Sequence, residues 1–166
     1  AIGAGFPLAA VGGRRDIFEA VIEGRVIHSA TYHTNPVGLA ACVAALKEMR
    51  VPGFFDRITR LGQMLQTGLT EAAQKAGIQA IATGVGPLFQ ISFADHAPKN
   101  YRDAVRSLDV EAYREFWALM LERGVLFNPH PQECWFVSAA HTEHEVELTL
   151  AAAAAAFAAM KKNGRS

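Results

Sequence analysis

Apolar residues recur at spacings of three and four through Phe54, Ile58, Leu61, Leu65, Leu69, Ala72 and Ala76. That period lines them up on one stripe and predicts an amphipathic helix. Gly77 follows as a left-handed C-terminal cap. The period then changes. Phe89, Ile91 and Phe93 alternate with Gln90 and Ser92, the two-residue repeat of a half-buried strand. Residues 79–83 and 87–94 read as two strands around Gly84-Val85-Gly86. Residues 96–107 are polar and read as a mobile loop. Asp109 can cap a helix with Val110, Tyr113, Trp117, Met120 and Leu121 on its inner face, ended by Gly124. Residues 125–127 and 135–139 read as short strands. A last helix opens at Thr142, with Val146, Leu150, Ala153, Phe157 and Met160 in register.

The first third is less periodic. Residues 6–11 read as a short buried strand closed by Gly12-Gly13, residues 16–22 as a short helix and residues 26–31 as a second strand. From 36 to 50 small and apolar residues run together, which predicts a helix packed closely on several sides. Val51-Pro52-Gly53 breaks it. A boundary is expected near residues 48–53, dividing residues 1–50 from residues 51–166. The second part reads as a compact α/β unit, an antiparallel sheet with helices on one face.

Bulk properties narrow the function classes. The 166 residues are 51% hydrophobic and carry 16 basic and 16 acidic side chains. A core is within reach, and the absence of a basic excess argues against nucleic acid and anionic membranes as partners. The longest apolar run, residues 151–160, is mostly alanine and too short to span a bilayer. No basic stretch followed by an apolar one opens the chain, so no signal peptide is expected. Cys42 and Cys134 lack metal-ligand spacing and are expected to be reduced, buried thiols of a cytoplasmic protein.

Candidate chemistry begins at Asn35-Pro36. Asn35 is a good N-cap, and Pro36 suits the first helical position, where its missing N–H costs nothing. Ser29, Thr31 and Thr34 precede this helix start. Hydroxyls and free N–H groups at such a place can hold an anion such as phosphate. Taken alone, the stretch reads first as a capped helix with a polar lead-in.

Other motifs fail their tests. Gly3-x-Gly5 would need a third glycine where Leu8 stands, and Gly13 is followed by Arg14 rather than Lys-Ser/Thr, so neither nucleotide loop is present. His141 and His144 are not at the spacing that places two imidazoles on one helical face. Thr142 and Glu145 read instead as a capping box. No metal site is expected, including between His28 and His33.

Three stretches together resemble the class-III aminotransferases that depend on pyridoxal phosphate (PLP), in particular the glutamate-1-semialdehyde aminomutase branch. They are Gly3-Ala4-Gly5-Phe6-Pro7-Leu8-Ala9-Ala10-Val11-Gly12-Gly13-Arg14, the segment from Thr31 to Ala41, and Gly124-Val125-Leu126-Phe127-Asn128-Pro129 with Glu133 and Phe136-Val137-Ser138-Ala139-Ala140-His141-Thr142. Their order and spacing fit from residue 1 to about residue 160. The resemblance implies a fold-type I α/β transferase, with residues 1–50 the end of the large PLP domain and residues 51–166 the α+β small domain.

The same resemblance implies the site. Thr31, with Ser29 and Ala30, would hold the PLP phosphate, reaching across a homodimer into the partner's active site. Gly5 would lie in the floor beside the cofactor ring. Glu133 would face the substrate pocket, and His33 could line it. The chain would contain no catalytic residue. The Schiff-base lysine would stand directly before Ala1, and the chain would be an inactive fragment of an enzyme that moves an amino group between small-molecule donors and acceptors. His130-Pro131-Gln132 and Cys134-Trp135 depart from the aminomutase pattern, and Trp135 would reshape or narrow a pocket. The competing expectation is a non-catalytic α/β interaction domain, stable as a monomer without a cofactor.

Overall fold

The long apolar stripe becomes the longest helix of the protein. In the computed structural model, which describes residues 2–164, the elements run α1 (Arg15–Ile22), α2 (Pro36–Met49), α3 (Phe54–Ala76), β1 (Ile81–Val85), β2 (Leu88–Ser92), α4 (Tyr101–Ser107), α5 (Val110–Glu122), β3 (Trp135–Phe136) and α6 (Glu143–Lys162). They divide into two compact units, residues 1–54 and residues 55–166.

In the second unit the core follows from the sequence periods. Leu61, Leu65, Leu69 and Ala73 of α3 are buried, as are Phe89 and Ile91 of β2. The sheet is antiparallel in the order β1-β2-β3, with Ile81 opposite Ser92 and Phe89 opposite Trp135. Val85 faces Leu88 across a tight turn in which Gly86 takes φ +57°, a conformation glycine adopts at little cost. Close approach fixes another glycine. A Cβ on Gly62 would sit 2.1 Å from the Gly86 carbonyl oxygen, so α3 packs backbone against turn. Gln66, one turn further along α3, donates to that same carbonyl at 3.0 Å.

Helices α5 and α6 close the core through aromatic rings. Phe116 stacks on Phe157 at 4.7 Å, and Phe93 tilts against both at 5.4 and 6.2 Å. Alanines of α6, Ala153 and Ala156, are fully buried. The capping box is present. Thr142 Oγ1 accepts from the His144 N–H at 3.2 Å, and Glu145 accepts from the Thr142 N–H at 2.7 Å.

Four expectations in this unit need correction. The inner face of α5 is Ala112, Tyr113, Phe116 and Met120, while Val110 and Leu121 are exposed. Two stripes were open to this helix, and the one that places Phe116 on Phe157 buries more aromatic surface. The polar loop at 96–107 contains α4, capped by Asn100, whose side chain accepts from the Asp103 N–H. The expected strand at 135–139 shortens to two residues. Residues 125–127 form no strand, and the Phe127 carbonyl takes the Trp117 indole N–H rather than a neighbouring strand.

The first unit behaves differently. Helices α1 and α2 form as expected, and Asn35 Oδ1 accepts from the Val37 and Gly38 N–H groups at 3.0 and 3.2 Å. Of the residues in α2 only Gly38 is buried, and Val37, Leu39, Val43 and Leu46 are exposed, so the close packing expected on several sides is not met within this chain. Residues 6–11 and 26–31 are turn and loop rather than strands. A strand needs a neighbour to satisfy its backbone, and the first strand among the described residues is β1, in the other unit. Cys42 and Cys134 are free and half-buried rather than buried. No helix among the described residues is long and apolar enough to cross a membrane.

Candidate functional site

The candidate residues fall into two groups, one in each unit. In the first unit, residues 31–34 form a turn just before α2. The His33 N–H donates to the Ala30 carbonyl at 2.9 Å and the Asn35 N–H to the Tyr32 carbonyl at 3.1 Å. Thr34 takes φ +58°, and its hydroxyl donates to the His33 carbonyl at 2.7 Å. That hydroxyl and the first N–H groups of α2 are therefore engaged, the latter by Asn35. This narrows the donor set from the one the sequence suggests. The exposed hydroxyls of Ser29 and Thr31 have no hydrogen-bond partner among the described residues, and neither do the N–H groups of Ala30, Thr31 and Tyr32. Several uncharged donors on one short exposed stretch suit the oxygens of a phosphate.

His33 sits in the same turn, and its ring meets His28 edge-on at 4.9 Å. Gly5, at φ +100° in a turn where Phe6 N–H donates to the Gly3 carbonyl, has no heavy atom within 4 Å of where a Cβ would stand. A flat group could approach that backbone closely.

The second group is the loop that ends in Glu133. Its local turns are tight. Asn128 Oδ1 accepts from the His130 N–H at 2.9 Å, His130 Nδ1 from the Gln132 N–H at 3.3 Å, and the His130 carbonyl from the Glu133 N–H at 3.1 Å. Other elements grip it from beneath. The Trp117 indole donates to the Phe127 carbonyl at 2.9 Å and the Tyr113 hydroxyl to the Asn128 carbonyl at 2.7 Å, both from α5. Gln90 of β2 donates through Nε2 to the Pro131 carbonyl. Glu133 itself is exposed, and its carboxylate has no partner among the described residues. Sequence reasoning did not single out Gln90, Tyr113 and Trp117 as supports of this loop. The available signal was that Tyr and Trp, once buried, direct their polar atom to a specific partner.

Burial pushes the Tyr113 phenol up to about 12, and the indole of Trp135 partly offsets this. No formed bond joins the two, since Trp135 Nε1 is buried without a hydrogen-bond partner among the described residues. The Trp135 ring lies 4.0 Å from Phe127 and 5.5 Å from Phe89. It lines a recess of about 320 Å³ together with Leu65, Cys134, His141 and Glu145. Its place is thus in the wall of the second unit's own core.

His141 and Glu145 have structural partners. The Ser138 N–H donates to His141 Nδ1 at 3.0 Å, which places the imidazole proton on Nε2. Arg57 of α3 holds the same turn, donating to the Ala139 and His141 carbonyls at 2.8 and 3.1 Å. Hydrogen bonds from the Thr142 hydroxyl and N–H keep Glu145 below the usual carboxylate range.

The family model for class-III aminotransferases matches residues 1–153. A glutamate-1-semialdehyde 2,1-aminomutase of Neisseria meningitidis is 42% identical over 160 residues, covering 96% of this chain and 37% of the relative. Among solved structures, an omega-transaminase from Sphaerobacter thermophilus overlays with a TM-score of 0.85 at 32% identity, covering 94% of this chain and 36% of that one. The FumI protein of Sphingopyxis sp. MTA144, in a PLP internal aldimine form, overlays with a TM-score of 0.75 at 26% identity over 91% of this chain and 33% of its own. The chain therefore spans a little over a third of the length of the curated relative it matches. Its architecture is that of the fold-type I α/β transaminases, and the chain belongs to the class-III aminotransferase family.

Proposed function

We propose that these residues serve a PLP-dependent aminotransferase or aminomutase that moves an amino group on an amino acid or amino-aldehyde substrate. The 42% identity to an aminomutase and the structural likeness to a transaminase support both branches of that reading. Bound PLP supplies an electron sink that lets a proton leave the carbon bearing the amino group. This chain's own residues bind and orient. Thr31 and Ser29 donate hydroxyls to the cofactor phosphate, with the Ala30 N–H beside them. Gly5 leaves room against the ring, while Glu133 and His33 face the substrate. Residues 1–50 would be the end of the large domain and residues 51–166 the small domain. The exposed apolar side chains of the first unit support burial against further protein, and a homodimer in the cytoplasm with shared active sites is the arrangement proposed.

The observation that carries this reading is the Thr31 turn. The Ser29 and Thr31 hydroxyls and the Ala30, Thr31 and Tyr32 N–H groups have no partner among the described residues, although the helix start beside them is fully capped. The lysines are all exposed, on α2, α3, a loop and the end of α6, and none is proposed as the cofactor-anchoring residue. Residues 1–166 alone are accordingly expected not to transaminate. In the full-length protein, Thr31→Ala should weaken PLP binding roughly ten- to a hundredfold, the range for losing a hydrogen bond to a charged group. The check is cofactor titration by its visible absorbance. Unchanged affinity would remove Thr31 from the site, and transamination by residues 1–166 alone would overturn the inactivity.

A further inference from the structure

The loop before Glu133 is held in an unusual way. Most backbone carbonyls in a folded protein are engaged by other backbone groups. Here three carbonyls within five residues, those of Phe127, Asn128 and Pro131, each take a side-chain donor from another element. Two donors come from α5 and the third from β2, so the loop is fixed to two different supports. The donors are costly ones. Tyr113 is fully buried, and Gln90 and Trp117 are half-buried. The loop they hold ends in an exposed carboxylate that has no partner among the described residues.

We infer that Gln90, with Tyr113 behind it, is a positioning residue that sets where the Glu133 carboxylate stands. The inference rests on the proposed role of Glu133 at the substrate. Gln90 reaches the carbonyl of Pro131, two residues before Glu133, and Pro131 is buried, which makes that carbonyl the last fixed point on the N-terminal side of Glu133. Beyond it the turn from the Glu133 N–H to the His130 carbonyl and, on the far side, the pairing of Trp135 with Phe89 of β2 hold the segment that carries the carboxylate. Losing the Gln90 donor would leave the turn and the Trp135 pairing intact and let the stretch between them, which carries Glu133, shift. Tyr113 works one step further back, through Asn128, whose side chain in turn fixes His130. Small displacements of a positioned group are enough to alter substrate binding.

The test is a double-mutant cycle in the full-length protein with PLP bound. Gln90→Met keeps the side chain's length and removes its donor. Tyr113→Phe keeps the ring and removes only the hydroxyl, and it covers the case in which Gln90→Met fails to fold. Each should raise the amino-donor KM about three- to tenfold, the equivalent of one lost hydrogen bond, with the cofactor absorbance unchanged. In a Glu133→Gln background the same substitutions should have no further effect on KM, while their effects on thermal unfolding remain additive. A merely structural residue would give additive effects on both. An active enzyme in which the KM effects add, or in which neither substitution changes KM, overturns the positioning role. A full-length protein without a cofactor band or transamination overturns the proposed function instead.

Discussion

Residues 2–54 and residues 55–164 are both rich in apolar side chains, yet they use them in opposite ways. Every buried hydrophobic residue of the core lies from Ile58 onward. In the first unit Phe6, Val11, Ile17, Ile22, Ile27, Val43 and Leu46 are all exposed, and among its described residues only Gly3 and Gly38 are buried. Both units nevertheless contain well-formed helices. Helices α3, α5 and α6 are held by packing of an apolar face, which is the usual source of helix stability in proteins. Helix α2 instead rests on local signals, its Asn35 cap, Pro36 at its first position and a high alanine content. Local signals are enough to specify a helix. They do not specify a core.

The sharpest way to break this comparison is to remove a large side chain from each unit. Phe157 is fully buried and stacked on Phe116, so Phe157→Ala should cost about 3–5 kcal/mol in denaturant unfolding. Leu46→Ala in α2, at an exposed position, should change stability by less than about 0.5 kcal/mol. Equal effects would mean that the first unit has a core of its own.

Glycine offers a cleaner pair, because helix propensity is the same in both. Gly62→Ala drives a methyl into the Gly86 carbonyl and should destabilise by about 1–3 kcal/mol. Gly38→Ala meets no atom within 4 Å and should raise helix content, stabilising α2 by about 0.5–1 kcal/mol. Far-UV circular dichroism during thermal unfolding reads both signs. A stabilising Gly62→Ala would contradict the close approach of α3 to the β1–β2 turn.

Caps should differ less between the units. Thr142→Ala removes the hydroxyl half of the box at α6 and should cost about 1 kcal/mol. Asn35→Ala removes a cap of similar chemistry, but with no core to spread the loss it should fray only the first turn of α2. Amide hydrogen exchange distinguishes local fraying from a global change.

The smallest effect concerns pH. His96 bonds to Asp95 and Asp103, which raise it above its ordinary value of 6.5, the Asp95 contact contributing most. A raised histidine stabilises below its ordinary value, and that contribution disappears as pH climbs through the folded one. The loop before α4 should therefore loosen between the two pH limits, seen as a falling amide protection factor, relative to the intrinsic exchange rate at each pH, at its Lys99 N–H, which Asp103 accepts at 2.9 Å. In His96→Gln that pH dependence should be gone.

Legibility followed the same divide. In the second unit the stripe of α3, the alternation of β2 and the box at Thr142 were readable because each is a short-range pattern with one structural solution. The face of α5 was not, since two stripes shared Tyr113 and Met120 and only the ring of Phe157 chose between them. At the site, the Asn35 cap was legible, and so were the candidate hydroxyls of Ser29 and Thr31. The engagement of Thr34 with its neighbour's carbonyl was not, because it depends on a left-handed backbone at a non-glycine residue.

Sequence by itself determined α3, the β1–β2 hairpin and α6, the caps at Asn35, Asp109 and Thr142, and the family resemblance. Those follow from contacts within a few positions of the chain and from motif order. Tertiary structure alone decided that residues 6–11 and 26–31 make no strands here, that Trp135 is a core wall, and that Gln90, Tyr113 and Trp117 grip the loop before Glu133. Each depends on whether a partner far along the chain is in reach, and no local pattern carries that information.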